Sequence, residues 1–134
     1  MKLMTRNTDY AVRAVCYMAK KPQGVISVTE LVKKLKIPRP FLRKILQMLT
    51  KSGLAKSYRG IGGGFALAVS PGEIFLADLM KVFQGQVSLN ECIFKKKVCP
   101  HKKTCPLKRR IDAIELRAQE EIGSITILSL MEGV

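Results

Sequence analysis

The hydrophobic pattern changes period at Gly53, and that change limits the folds open to this chain. Upstream, in "RPFLRKILQMLTKSGL", apolar residues recur at steps of three and four, the period of a helix with one buried face. Downstream, "LAKSYRGIGGGFALAVS" reads as two short strands around a glycine-rich tip at residues 60–64. Two further helical segments come before the first stretch. Three helices, the second and third joined by a tight turn, followed by a two-stranded ribbon, make the element order of a winged helix-turn-helix.

Local start and stop signals agree with this order. In "TDYAVRAVCYMAK", residues 8–20, Ala11, Val15 and Met18 share one face with Val12 and Ala19 beside it, while Asp9, Arg13 and Lys20 fall on another. Pro22 and Gly24 end that helix. The second helix, residues 28–35, has Ser27 as N-cap, Glu30 to close a capping box and Ile26 to staple onto Leu31. It stops because Ile37 precedes Pro38 and is pushed out of helical geometry. In the third, Phe41, Leu42, Ile45, Leu46, Met48 and Leu49 are expected in the buried stripe, Pro40 in the first turn and Gly53 as C-terminal cap. The opposite face carries Arg43, Lys44, Gln47, Thr50 and Lys51.

The C-terminal half adds two helices. "IFLADLMKVFQG" predicts one from Leu76 to Gln84, capped by Gly85. Pro106 opens a long last helix in which Leu107, Ile111, Ile114, Ala118 and Ile122 form an apolar edge that can pack on the domain or pair with its twin in a homodimer. Gly123 and Ser124 break it, and Thr126 can cap a final turn. At 134 residues and 47% hydrophobic, the chain has material for one core. The expected division is a winged helix-turn-helix DNA-binding domain at 1–84, a cysteine-bearing sensor loop at 85–105 and a dimerisation helix with its tail at 106–134. The fold class is mainly α with a small β-hairpin.

Charge points to a nucleic-acid partner. Twenty-four Lys and Arg face ten acids, a formal net charge of +14. From Leu31 to Gly72 there are nine Lys or Arg and no Asp or Glu, and that interval holds the second helix, the third helix and the hairpin. A run of cations is commonly a solvated face, but its confinement to the reading elements favours contact with double-stranded DNA. Arg39, Arg43, Lys44 and Gln47 are placed to reach base edges in a major groove. Gly62 and Gly63 let the tip approach phosphate, and Arg59 at its base can reach into a minor groove. No membrane is expected, because no apolar run approaches the roughly 18 residues of a spanning helix. "MKLMTRNTDYAVRAV" lacks the features of a signal peptide, so the expected location is cytoplasmic. One histidine and scattered acids supply no nucleophile with an adjacent base, so no enzyme is expected.

The segment "NECIFKKKVCPHKKTCPLKRR" holds Cys92, Cys99 and Cys105, and in a reducing compartment such a cluster suggests metal ligands or redox thiols rather than disulfides. The surrounding lysines favour thiolate over thiol and offset the charge of a thiolate-ligated cluster. Three chemistries fit: an iron-sulfur cluster, zinc with His101 completing a Cys3His set, or a metal-free thiol switch. A redox or electron-transfer protein could use the same cysteines, but it has no need of an acid-free reading helix. Cys16, among alanines and valines, is expected to be a packed core thiol.

With its elements in this order, the chain resembles the winged-helix transcriptional regulators of the IscR, NsrR and CymR (BadM-like) family. The resemblance spans nearly the whole chain and rests on "TDYAVRAVCYMA", "VISVTELVKKLKIPRPFLRKIL", "GLAKSYRGIGGGFALA" and the three-cysteine loop, the Arg-Gly-x-Gly-Gly-Gly wing motif being the most specific. It implies a homodimer on a palindromic operator, with DNA affinity set by an iron-sulfur cluster of the 2Fe-2S or 4Fe-4S type that senses nitric oxide, oxygen or cluster status. By position Cys92, Cys99 and Cys105 match the cysteine ligands, Arg59 the wing arginine and Arg39 to Gln47 the recognition helix. Where some members carry a histidine three residues after the last cysteine, this chain has Lys108; Asp9 matches an aspartate that some nitric-oxide sensors supply from the other subunit.

Overall fold

The structure, a computed structural model, describes residues 3–21, 24–85 and 105–132. Helix α1 (Arg6–Ala19) starts at Thr5, whose hydroxyl accepts from the Thr8 amide. Its buried face is Thr8, Ala11, Ala14, Val15, Met18 and Ala19, where the three alanines let neighbouring helices approach closely. Helix α2 (Val28–Leu35) starts at Ser27, whose hydroxyl accepts from the Glu30 amide at 3.1 Å. The expected reciprocal half of the capping box is not made. Glu30 turns instead to Tyr17 of α1 and to Lys21 just beyond its end, each donating to Oε2 at 2.8 Å, so the carboxylate gains an ammonium and a phenol donor in place of one backbone amide. Lys36 ends α2 in the left-handed region (φ 56, ψ 36), and Ile37 and Pro38 lead into α3 (Arg39–Lys51).

On α3 the buried set is Leu42, Ile45, Leu46 and Leu49, the i, i+3, i+4, i+7 stripe. It is narrower than the sequence suggests. Met48 is half-buried, and Phe41 is 48% exposed. At about 100° per residue both fall on one flank of the stripe, roughly a right angle from its centre, outside the arc that meets the core. Gly53 (φ 86) follows the helix, and the Leu54 amide reaches back to the Leu49 carbonyl at 3.0 Å, the bond that closes a glycine-terminated helix.

Strands β1 (Ala55–Tyr58) and β2 (Gly64–Leu67) pair antiparallel, with Ala55 opposite Leu67 and Tyr58 opposite Gly64. The hairpin does not stand alone. Ile26 and Phe65 exchange backbone hydrogen bonds of 2.8 and 2.9 Å, so the residue before the α2 cap acts as a third strand and fastens the wing to the helical body. A 3-10 turn (Pro71–Glu73) leads to α4 (Leu76–Phe83), then come α5 (Pro106–Gly123) and α6 (Ile127–Met131).

One core of Met18, Ile26, Leu31, Ile37, Leu42, Ile45, Leu46, Leu49, Ile74, Leu79 and Ile127 joins α1 to α4 and the hairpin. Ile127 brings α6 back into it; Thr126 caps this helix through Ser129, and the Ile127 amide donates to Ile74 at 2.9 Å. Gln84 ties the end of α4 to the start of α1. Its Oε1 accepts from the Thr5 amide (2.9 Å) and from the fully buried Thr8 hydroxyl (2.7 Å), and its Nε2 donates to the Leu3 carbonyl (2.9 Å). Helix α5 is different. Only Ile122 is buried, packed with Leu76 and Met80, while Leu107, Ile114 and Leu116 are 69%, 47% and 57% exposed. The architecture is a winged helix with a long C-terminal helix, and no described helix is long and apolar enough to cross a membrane.

Candidate nucleic-acid interface

The surface between α3 and the wing is a groove of about 650 Å³ lined by Arg43, Gln47, Thr50 and Lys51 from the helix, by Ser57, Tyr58, Arg59, Gly63, Gly64 and Phe65 from the hairpin, and by Val28. The four helix residues are steps of four, three and one apart, which places them on the flank of α3 that faces β1. Arg43, Lys51 and Arg59 bring three cations to one concavity whose lining contains no acid.

Of the residues singled out in the sequence, Arg43, Gln47, Arg59 and Gly63 meet in this groove. Lys44 is exposed on the outward side of α3, beyond the lining. Arg39 is exposed at the start of α3, where its guanidinium donates to the Thr29 hydroxyl at 3.1 Å and ties the two helices of the turn together. Gly62 lies at the exposed tip with φ 77, the third position of a β-turn closed by the Gly63 amide on the Gly60 carbonyl at 3.0 Å. Lys51 and Thr50 were legible as a continuation of the Arg43–Gln47 flank; Ser57 and Tyr58 join them only through the way the hairpin packs on α3.

The electrostatics follow from pairing. Among the described residues none of the nine cations from Lys33 to Arg59 has a carboxylate within ion-pair distance, whereas Arg13–Asp9, Lys21–Glu30 and Lys108–Asp112 are paired. Their positive field is therefore directed at solvent rather than neutralised within the fold. Glu30, the last acid before the run, is held below the ordinary carboxylate range by its bonds from Lys21 and Tyr17.

Cys92, Cys99 and His101 lie outside the described residues, as do the lysines at 95–97, 102 and 103. Cys105 is described: half-buried, at the N-cap of α5, its thiol making no capping hydrogen bond. Asp9 stands in the first turn of α1, where Oδ2 accepts from the Arg13 Nε at 3.0 Å. Among the described residues no three His, Cys, Asp or Glu side chains converge on one point. Cys16 packs against the core, and burial pushes its thiol up, with Lys20 opposing.

A family model described as Rrf2, iron-dependent transcriptional regulator, matches residues 4–133. A relative from Aquifex aeolicus (strain VF5), named "Putative HTH-type transcriptional regulator", is 30% identical over 128 residues, 91% of this chain and 86% of its own. Among solved structures, CymR (YrzC), the global cysteine regulator of B. subtilis, superposes with a TM-score of 0.84 at 24% identity over 100% of this chain and 99% of that one. The T. potens IscR structure gives 0.76 at 23% identity, covering 99% and 88%. The oxidised form of Staphylococcus aureus CymR gives 0.73 at 27% identity, covering 100% and 98%. With the winged helix, the long C-terminal helix and a family match over almost the full length, the chain belongs to the Rrf2 family of transcriptional regulators.

Proposed function

We propose that this regulator is a homodimeric repressor that binds a palindromic site in double-stranded DNA, and that an iron-sulfur cluster sets its affinity. The observation that carries the DNA reading is the groove in which Arg43, Gln47, Lys51 and Arg59 converge without an acid. In this reading α3 lies in the major groove, with Arg43, Lys44 and Gln47 at base edges and Arg39 near the backbone. The exposed Phe41 on the same helix is of the type that packs on thymine methyl groups. Arg59, Gly62 and Gly63 bring the wing to the minor groove. The exposed apolar residues Leu107 and Ile114, seven positions apart on one side of α5, support a dimer in which two such helices cover one another.

The cluster would be held by Cys92, Cys99 and Cys105, with Asp9 of the partner subunit as fourth ligand. The donor chemistry of the two described members fits: the Cys105 thiol caps nothing, and only one carboxylate oxygen of Asp9 is engaged. When bound, a cluster supplies a redox-labile, negatively charged centre. This chain's residues do the rest. Cys105 marks the start of α5, and Asp9 belongs to the turn of α1 that Gln84 anchors, so ligation across the dimer would link the sensor loop to the helix that packs against α3.

Two experiments test the reading. Selection from a randomised duplex pool should return a palindrome, and Arg59→Ala should weaken binding to it more than to random duplex; equal losses would reduce Arg59 to a phosphate contact. Protein purified without oxygen should absorb in the visible and contain iron and sulfide, with the absorption lost in Cys99→Ala and altered in Asp9→Ala. Colourless protein that responds reversibly to oxidant would replace the cluster by a thiol switch, a reading favoured by the oxidised form in which a 27%-identical relative was solved. Colourless protein with stoichiometric zinc would replace it by a zinc site.

A further inference from the structure

Ile61 is the most exposed large apolar residue described, at 109% of its reference surface, and nothing in the fold accounts for it. It occupies the second position of the turn Gly60–Gly63, closed by a 3.0 Å hydrogen bond, with Gly62 after it at φ 77, the type II arrangement. Any residue of negative φ satisfies that position. A polar one would do so without holding a branched hydrocarbon in water.

The tip is also rigidly mounted. Below it, β1 and β2 are paired from Tyr58–Gly64 to Ala55–Leu67, and the Ile26–Phe65 bonds fasten the far edge of the hairpin. Ile61 is thus presented at a set height above the α3 groove, two residues beyond Arg59. Charge and hydrocarbon stand side by side on one tip.

We propose that Ile61 selects the base composition under the wing by shape, entering the minor groove and excluding guanine. The proposal rests on the DNA-binding reading above. The minor-groove edge of an A·T pair presents only acceptors, whereas a G·C pair adds the guanine N2 amino group on the groove floor. An isoleucine side chain cannot accept from that amino group, and its volume meets it. Over A·T pairs the floor is open, and the narrower groove also draws in Arg59. Arg59 supplies attraction, and Ile61 supplies the penalty for the wrong pair.

The test uses the full chain and three alternating duplexes of equal length at one salt concentration, d(AT), d(GC) and d(IC), with binding read by fluorescence anisotropy. Inosine·cytosine has the minor groove of A·T and the major groove of G·C. Wild type should bind d(AT) and d(IC) about tenfold more tightly than d(GC), and Ile61→Ala should bring the ratio towards unity. The salt dependence should not change, because no charge is removed. A preference that persists in Ile61→Ala assigns it to Arg59 and overturns the proposal. If d(IC) behaves like d(GC), the side chain reads thymine methyls in the major groove, which overturns it equally. Failure of wild type to bind any of the three at low salt would refute the DNA-binding reading itself, and the proposal with it.

Discussion

Gly64→Ala should detach the wing from the helical body. A Cβ at Gly64 would lie 2.2 Å from the Ile26 carbonyl oxygen, 2.7 Å from its carbon and 2.9 Å from the Ser27 Cα. Ordinary contacts of this kind begin at 3.4 Å, so the strand before α2 must retreat by roughly 1 Å. All three atoms are backbone, and no rotamer change relieves them. A retreat of that size lengthens both Ile26–Phe65 hydrogen bonds, now 2.8 and 2.9 Å, beyond bonding range. Each is worth about 1 kcal/mol net, and the φ of 155, unfavourable for alanine, adds about 1 kcal/mol. The expected loss is about 3 kcal/mol, a large fraction of a typical domain's stability. Urea unfolding measures it, with Gly62→Ala as the comparison: that glycine has open space around it and only its φ of 77 to lose, so about 1 kcal/mol. Gly64→Ala within about 0.5 kcal/mol of wild type, or Gly62→Ala costing as much as Gly64→Ala, would refute the steric argument.

Gln84→Ala removes three hydrogen bonds and strips the buried Thr8 hydroxyl of one partner, so urea unfolding should show a loss of about 2–3 kcal/mol. Glu30 is stabilised in its charged form, so its contribution is complete above the ordinary value of 4.5 and is lost as pH falls through its lowered folded value. Stability measured against pH should therefore fall less steeply below 4.5 in Glu30→Gln than in wild type; parallel curves would show that the Tyr17–Glu30–Lys21 contact contributes nothing. If the proposed dimer forms through α5, Ile114→Asp on its exposed edge should shift it towards monomer in sedimentation velocity while leaving the helical circular dichroism intact; a monomeric wild type would refute the dimer, and a variant dimer as stable as wild type would place the interface elsewhere.

Where the sequence was easily read, the cause was local. Ser27 and Pro38 bracket α2, which runs from Val28 to Leu35 as expected, and Gly53 ends α3 with a backbone bond that needs φ 86. The turn glycines likewise locate the wing, because no other residue type adopts those angles readily. Errors arose where a side chain had a choice of partners. Glu30 is spaced to close a capping box but finds Tyr17 and Lys21, thirteen and nine positions away in sequence. Phe41 is apolar and near the helical period, yet it lies on the flank that the core does not cover.

The candidate site divides in the same way. The acid-free run of cations and the α3 flank from Arg43 to Lys51 are properties of composition and of the 3.6-residue period, so the sequence alone determined which elements carry the charge. That Arg43, Lys51 and Arg59 line one groove depends on how the hairpin lies against α3, and that angle is set by the Ile26–Phe65 bonds and the glycine beneath them. No pattern within either segment encodes it, because it is a contact between backbones some forty residues apart.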